Sequence, residues 1–389
     1  MSRRAALIVL DGLGIGPAPD TEAYGDAGSD TLGNVARAVG GLDLPHLAAL
    51  GLGRCARLAG VPAVDAPAAA WGVAAPASHG KDSTTGHWEL CGLVLDAPFP
   101  TFPHGFPDGL LDAFRARTGR GVLGNRAASG TRVLDELGEA HVRTGDWIVY
   151  TSADSVFQVA AHEDVVPLAE LYAACAIARE LCHGAAGVAR VIARPFTGTP
   201  GAWVRTAGRK DFALPPHGRT LLDALEAAHW PRLGVGKVDD LFAGRGIRSI
   251  HAPVNAEAYR LIEQGLASLQ RGLLFANVIE FDQTWGHRND VPGFHAGLRE
   301  LDAWIPRLRG ALGPDDLVIL TADHGNDPTT PSTDHAREVV PVLVLGPSVR
   351  PVPLGVRATF ADVGQTLAEF FGVPPLAAGT SFLGEVWTG

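Results

Sequence analysis

Lysine is scarce in this chain. Of 32 basic side chains only Lys81, Lys210 and Lys237 are lysines. Arginine carries the positive charge elsewhere, so these three positions are candidates for sites where a compact ammonium fits and a planar guanidinium does not. Cysteine is also rare. The four present (Cys55, Cys91, Cys175, Cys182) show no Cys-x-x-Cys spacing, which argues against a thiolate-based zinc or redox pair. Cys175 and Cys182 fall on one face of an expected helix with Leu171 and Ala178, as packing residues do. Nothing calls for an oxidising compartment, and a cytoplasmic location is expected. No apolar run approaches the roughly 18–20 residues of a membrane span. The stretch after Arg3 and Arg4 ends at Asp11 with no small-residue cleavage site, so it reads as a first core strand, not a signal peptide. A basic excess is missing too: the formal net charge is −10, which argues against a nucleic-acid binder. A local basic pocket for a small phosphate ester stays open. No feature implies an obligate protein partner or membrane.

What the chain does have is a set of apolar runs that lead to aspartates. Ala5–Leu10 ends at Asp11; Leu273–Ile279 leads to Asp282, with His287 five residues on; Leu317–Ala322 leads to Asp323-His324, with His335 beyond. Short apolar runs of this kind are buried strands, and α/β chemistry sits past the carboxyl ends of strands. Three aspartates converging at one rim would repel one another unless cations sat among them. Carboxylate plus imidazole, without thiolate, suits Mn²⁺, Mg²⁺ or catalytic Zn²⁺. Two divalent ions among three carboxylates and three neutral imidazoles leave a net charge of about +1, which favours a phosphate dianion.

The 389 residues allow two domains. After the opening strand comes a Gly/Pro/Asp-rich loop, Gly12 to Ser29, of a length often functional. Helices are expected near Leu32–Val39, Pro45–Leu52, Leu110–Arg117, Leu168–Cys182, Thr220–Ala228, Leu298–Leu312 and Asp362–Phe371. Strands are expected at Trp147–Tyr150, Val188–Ile192 and Val339–Leu345. Proline-rich stretches at 98–107 and 214–216 bracket an α/β block. The aspartates fall on either side of it, so it reads as an insertion: 1–98 core, 99–215 inserted, 216–389 core.

A polar segment, Lys81-Asp-Ser-Thr-Thr-Gly-His-Trp-Glu89, offers three adjacent hydroxyls. A hydroxyl needs a base or a metal to become a nucleophile, and an ordinary N-cap is the plain alternative. The residues alone do not choose among Ser83, Thr84 and Thr85. Lys81 and His87 are candidates to support phosphate charge.

These motifs resemble one known family. Asp11-Gly-Leu-Gly-Ile-Gly16, Gly28-Ser-Asp-Thr-Leu-Gly33, Gly80–Glu89, Tyr150-Thr-Ser-Ala-Asp-Ser155, Gly286-His-Arg-Asn-Asp290 and Thr321–Pro328 with Thr333-Asp-His335 are similar to the phosphopentomutases of the alkaline-phosphatase superfamily, over essentially the whole length. The resemblance implies an α/β core with a mostly parallel sheet flanked by helices, plus a smaller inserted α/β cap. It implies one Mn²⁺ held by Asp11, Asp323 and His324, a second by Asp282, His287 and His335, and Thr85 as the phosphorylated residue. It places Asp154, with Ser152, against the sugar. Arg190, Arg194, Arg205, Arg209 and Lys237 are candidates for holding the phosphate distant from the metals, since arginine forks match phosphate oxygens.

The implied reaction interconverts ribose 1-phosphate and ribose 5-phosphate, and the 2-deoxy sugars, through a 1,5-bisphosphate, with glucose 1,6-bisphosphate or a similar sugar bisphosphate as activator. The rivals are a metal-dependent phosphatase or phosphodiesterase, and a phosphoglycerate mutase, on the same scaffold. A serine nucleophile would be expected of the phosphoglycerate mutase.

Overall fold

The computed structural model describes residues 3–152 and 155–389. The chain forms two compact units, 1–97 with 216–389, and 98–215. The first is built on an eight-stranded sheet. In spatial order its strands are Ser249–Ile250, Arg232–Val235, Gly272–Val278, Arg4–Leu10, Asp316–Thr321, Val340–Leu345, Ala70–Ala74 and Pro353–Arg357. The strands from Ser249–Ile250 to Asp316–Thr321 run parallel; Val340–Leu345 is antiparallel to both its neighbours. The sheet is therefore mixed and mostly parallel.

The three central strands are apolar at nearly every position because both faces are covered. Leu7, Ile8, Val9, Phe275 and Ile319 are completely buried, which explains runs without polar alternation. Arg4–Leu10 lies between the other two in parallel register, Leu10 opposite Val278 and Val9 opposite Thr321. The loops that follow these strands thus leave from one edge of the sheet.

Helix boundaries follow caps more than apolar spacing. The helix expected from Leu298 begins at Val291, because Asp290 caps Gly293 N and a proline sits in its first turn. The one expected over Pro45–Leu52 breaks at Gly51, whose φ of +107° is left-handed. The strand Ala70–Ala74 lies in an Ala-, Gly- and Pro-rich stretch, 66–77, whose composition does not favour a strand.

The second unit carries a six-stranded mixed sheet, with Val122–Ala127, Trp147–Thr151, Val156–His162, Arg190–Thr199 and Ala202–Arg205 in order and Lys210–Ala213 paired to Arg190–Thr199. One face packs Phe114, Trp147, Phe157 and Cys175, with Cys182 beside them; the other packs Val133, Ile148, Tyr150 and Phe196. The strand expected to end at Ile192 continues through Pro195 to Thr199. Its antiparallel partners pair only with residues 190–193 and 196–199. Pro195 sits in the gap between them, where no N–H is needed on that edge. Among the described residues no helix is long and apolar enough to cross a membrane.

The centre of the first sheet has no room to relax around a void. Leu7→Ala should cost about 2–5 kcal/mol, read as a lowered urea midpoint with the slope unchanged.

Candidate metal centre

Each of the three central strands of the first unit delivers one aspartate. Asp11 follows Leu10 directly, Asp323 comes two residues after Thr321, and Asp282 lies just beyond Val278. Gly12, at φ +79°, turns the chain sharply after Asp11. Its N–H donates to Asp323 Oδ1 at 3.2 Å, tying two of the loops together.

Two ligand groups result, and they share Asp282. Asp282, His287 and His335 bring donor atoms within 4.8 Å of one another, and so do Asp11, Asp282 and His324. His287 Nε2 and His335 Nε2 lie 3.4 and 3.3 Å from Asp282 Oδ1; His324 Nε2 lies 3.3 Å from Asp11 Oδ1. The imidazoles are oriented from behind. Nδ1 of His324 donates to the Gly325 carbonyl at 3.0 Å, and Nδ1 of His287 to the Thr333 carbonyl at 2.6 Å. That turns each Nε2 towards the carboxylates, where it can ligate a metal ion in exchange for its proton. Asn326 Nδ2 donates to Asp282 Oδ1 at 2.7 Å. Asp323 stands beside the first group, its Oδ2 3.5 Å from His324 Nε2.

Electrostatics follow from packing three carboxylates together out of water. Burial alone would raise the Asp11 carboxyl, but the Lys237 ammonium, 2.8 Å away, holds it well below the usual range. Burial likewise opposes ionisation of Asp282, and His335 and His287 overcome it. Burial disfavours charge on His324, yet Asp323 and Asp11 push it up to about 10. The carboxylates demand positive charge, and these side chains are what the chain itself supplies. Asp323 Oδ2 is buried 3.0 Å from His87 Nδ1, but that N–H donates to the Ser83 carbonyl at 2.9 Å. Among the described residues no hydrogen-bond donor meets this oxygen. An orphaned carboxylate oxygen beside oriented Nε2 atoms fits a divalent cation.

The hydroxyl at this centre is Ser83, not Thr85. Ser83–Leu90 is a helix capped by Asp82, whose Oδ1 accepts from Thr84 N and Thr85 N. Thr85 Oγ1 donates to Asp82 Oδ2 at 2.6 Å, and Gly80 packs against the same side chain. Ser83 Oγ instead lies 3.2 Å from Asp11 Oδ1 and 3.1 Å from His324 Nε2. The helix can approach this closely because residue 86 is glycine; a Cβ there would come within 2.2 Å of the Asp323 carbonyl oxygen. Thr85, the residue expected to be phosphorylated, lies two positions further along the helix, which turns its side chain about 200° from that of Ser83.

Lys237 Nζ lies 2.8 Å from Asp11 Oδ2, beside the carboxylate cluster. Lys81 bridges Asp26 and Asp334 at 2.8 and 3.4 Å. His87 is buried and held by Asn277, whose Nδ2 reaches His87 Nε2 at 3.2 Å and Asp11 Oδ2 at 3.3 Å. Asn277, a lone amide inside an apolar strand, went unnoticed in the sequence; its polarity at a buried position was the available signal. Asp154 lies outside the described residues. Ser152 follows the Trp147–Thr151 strand.

Arg190, Arg194, Arg205 and Arg209 belong to the second unit. Arg209 forks onto Asp211, with Arg190 3.5 Å from the same carboxylate, and Arg194 donates to Gln158. Burial raises the Tyr150 phenol, and Arg194, Arg205 and Arg209 oppose that shift, so three guanidinium groups gather near one hydroxyl. Among the described residues Asp211 is the acidic partner found in this set, one carboxylate beside four guanidinium groups.

The profile of the Metalloenzyme superfamily matches residues 3–375. A phosphopentomutase from Dictyoglomus thermophilum is 53% identical over 389 residues, covering 100% of this chain and 99% of its own. One from Anaeromyxobacter dehalogenans is 55% identical over 388 residues, covering 99% and 100%. The chain belongs to the phosphopentomutase family. A solved structure of the PH0037 protein from Pyrococcus horikoshii shares the fold, with a TM-score of 0.50 at 15% identity, over 96% of this chain and 98% of that one. Membership of this superfamily, with the two ligand groups above, makes the protein metal-dependent.

The Asp82 cap sets where Ser83 starts its helix. Asp82→Ala should lower stability by about 0.5–2 kcal/mol, measured as a drop in melting temperature at fixed metal concentration.

Proposed function

We propose that the protein is a phosphopentomutase that carries the phosphoryl group on Ser83. The observation that supports the nucleophile is the position of Ser83 Oγ, within 3.2 Å of both Asp11 Oδ1 and His324 Nε2. The substrate class rests on the full-length relatives. A serine is also what a phosphoglycerate mutase would be expected to use, so the nucleophile's identity does not separate the two; full-length identity of 53–55% does.

Asp11, His324 and Asp323 would hold one divalent ion and Asp282, His287 and His335 the other, with Asp282 close to both. We take the ions to be Mn²⁺, which oxygen and nitrogen ligands without thiolate accommodate. When bound, they supply Lewis-acid stabilisation of phosphoryl oxygens. The chain's own groups do the rest. The Asp82 cap and His87 hold the first turn of the helix, so Ser83 Oγ needs no reorientation. Lys237 adds a positive charge beside Asp11.

In the forward half-reaction the free pentose hydroxyl attacks the phosphorus of phospho-Ser83. The Oγ–P bond breaks, the sugar O–P bond forms, and the hydroxyl proton ends on Ser83 Oγ. The ribose 1,5-bisphosphate so formed turns round, and its other phosphoryl group returns to Ser83. Glucose 1,6-bisphosphate would prime an unphosphorylated enzyme. We assign recognition of the distal phosphate to the arginine set of the second unit, which among the described residues has Asp211 as its acidic partner, and recognition of the sugar to Asp154 and Ser152.

Ser83→Ala should abolish conversion of ribose 5-phosphate and leave no phosphate on tryptic peptides spanning residue 83. Thr85→Ala should keep both within an order of magnitude. The reverse result would return the role to Thr85. Because Asp282 adjoins both groups, Asp282→Asn should lower the bound Mn²⁺ towards zero by elemental analysis, whereas His335→Ala should lose about one ion. Two ions retained in both variants would remove these residues from the ligand set.

A further inference from the structure

Between the strand Ala70–Ala74 and the helix that begins at Ser83 runs an irregular segment, residues 75–82. Sheet pairing does not fix it, yet it must present Ser83 to Asp11 and His324 at hydrogen-bond distance. Three of its carbonyls, those of Pro76, Ser78 and Gly80, converge on one side chain. Arg337 Nη1 donates to Ser78 O and Gly80 O, both at 2.6 Å, and Nη2 donates to Pro76 O at 2.9 Å. The remaining donors, Nε and Nη2, fork onto Asp20 Oδ1 and Oδ2, each at 3.0 Å. All five guanidinium N–H groups are thereby used. The side chain is 3% exposed, and its plane stacks 4.6 Å from the Tyr24 ring.

The main chain of Arg337 is held as firmly. Its N–H donates to Asp26 Oδ2 at 2.8 Å, and Asp26 Oδ1 accepts from Lys81 Nζ at 2.8 Å. Arg337 stands two residues after His335. A single short segment therefore carries one histidine of the ligand set and grips both the run that leads into Ser83 and the Gly12–Ser29 loop.

We propose that Arg337 is a positioning residue for phosphoryl transfer: it sets the placement of Ser83 relative to the carboxylate and imidazole cluster without touching substrate. The inference rests on Ser83 as the phosphorylated residue. Lysine cannot replace the arginine, because an ammonium lacks both the planar fork for Asp20 and the reach to three divergent carbonyls. A misplacement of about 1 Å in a reacting group costs on the order of 10²-fold in rate. Substrate affinity, set elsewhere, should hardly change.

The test uses the full-length Mn²⁺-loaded enzyme. Arg337→Lys should lower kcat on ribose 5-phosphate about 10- to 100-fold with KM within about threefold and Mn²⁺ content unchanged, as expected when transition-state stabilisation falls and ground-state binding does not. Phosphorylation of the protein by glucose 1,6-bisphosphate, followed by intact mass, should slow in parallel. In metal-free protein, amides of residues 77–82 should exchange with deuterium faster than in the wild type, while the central strands keep their protection. A purely structural role would lower the melting temperature and leave kcat per folded enzyme unchanged, and that result overturns the proposal. If Arg337→Lys does not fold, Asp20→Asn removes only the carboxylate half of the clamp. A smaller fall in kcat at constant KM then supports the proposal, and an unchanged kcat overturns it. Wild-type phosphate found on Ser83, with Arg337→Lys kinetics unaltered, sinks this inference alone. Phosphate found at another residue overturns the nucleophile assignment and this inference with it.

Discussion

Three carboxylates held together at the edge of a buried sheet are the constraint on which the rest of the first unit depends. Asp11, Asp282 and Asp323 are each at most 3% exposed, and like charges that close are not stable in a low-dielectric setting without compensation. The surrounding chemistry answers that demand. Lys237 lies against Asp11, and three imidazoles point Nε2 inward. Glycines at 12 and 86 allow backbone and helix to come close enough. Parallel strands suit the task because their carboxyl ends all leave the sheet on one edge.

The hydroxyl is added to this cluster by an ordinary structural device. Asp82 caps a helix, and the cap dictates which of three consecutive hydroxyls faces the carboxylates. Thr85 is engaged by the cap itself, while Ser83 Oγ faces Asp11 and His324. Beneath it, Asn277 and His87 form a buried polar link between Asp11 and the Ser83 carbonyl. The link is not fully satisfied, because Asn277 Oδ1 is buried with no hydrogen-bond partner among the described residues. The three lysines of the chain all turn out to be engaged: Lys81 with two aspartates, Lys237 with Asp11, and Lys210 beside the rings of Tyr172 and Phe212.

The second unit contributes charge of the opposite sign. Its arginines sit on and beside the strands Arg190–Thr199 and Ala202–Arg205, with Asp211 as partner to two of them. Arg194 is partly buried, and that burial together with the neighbouring Arg209 disfavours its charge. A cluster of this kind is suited to an anion.

By itself the sequence determined the main elements of the α/β pattern. Runs such as Ala5–Leu10 and Leu317–Ala322 could be read as buried strands because faces covered on both sides favour apolar residues at nearly every position, and aspartates at their ends announced a cation-seeking edge. The helix Leu168–Leu181 was visible from its periodicity. What the sequence did not determine was orientation within a motif. Ser83, Thr84 and Thr85 are chemically alike, and only the helix phase set by Asp82 separates them. Lys237 and His87 read as phosphate-facing cations until tertiary packing placed one on Asp11 and buried the other behind Ser83. Arg337 looked like one of many arginines, because its role comes from carbonyls 257 to 261 residues away in the chain. Local pattern encodes which backbone hydrogen bonds form; which side chains meet depends on long-range packing, and only the tertiary structure decides that.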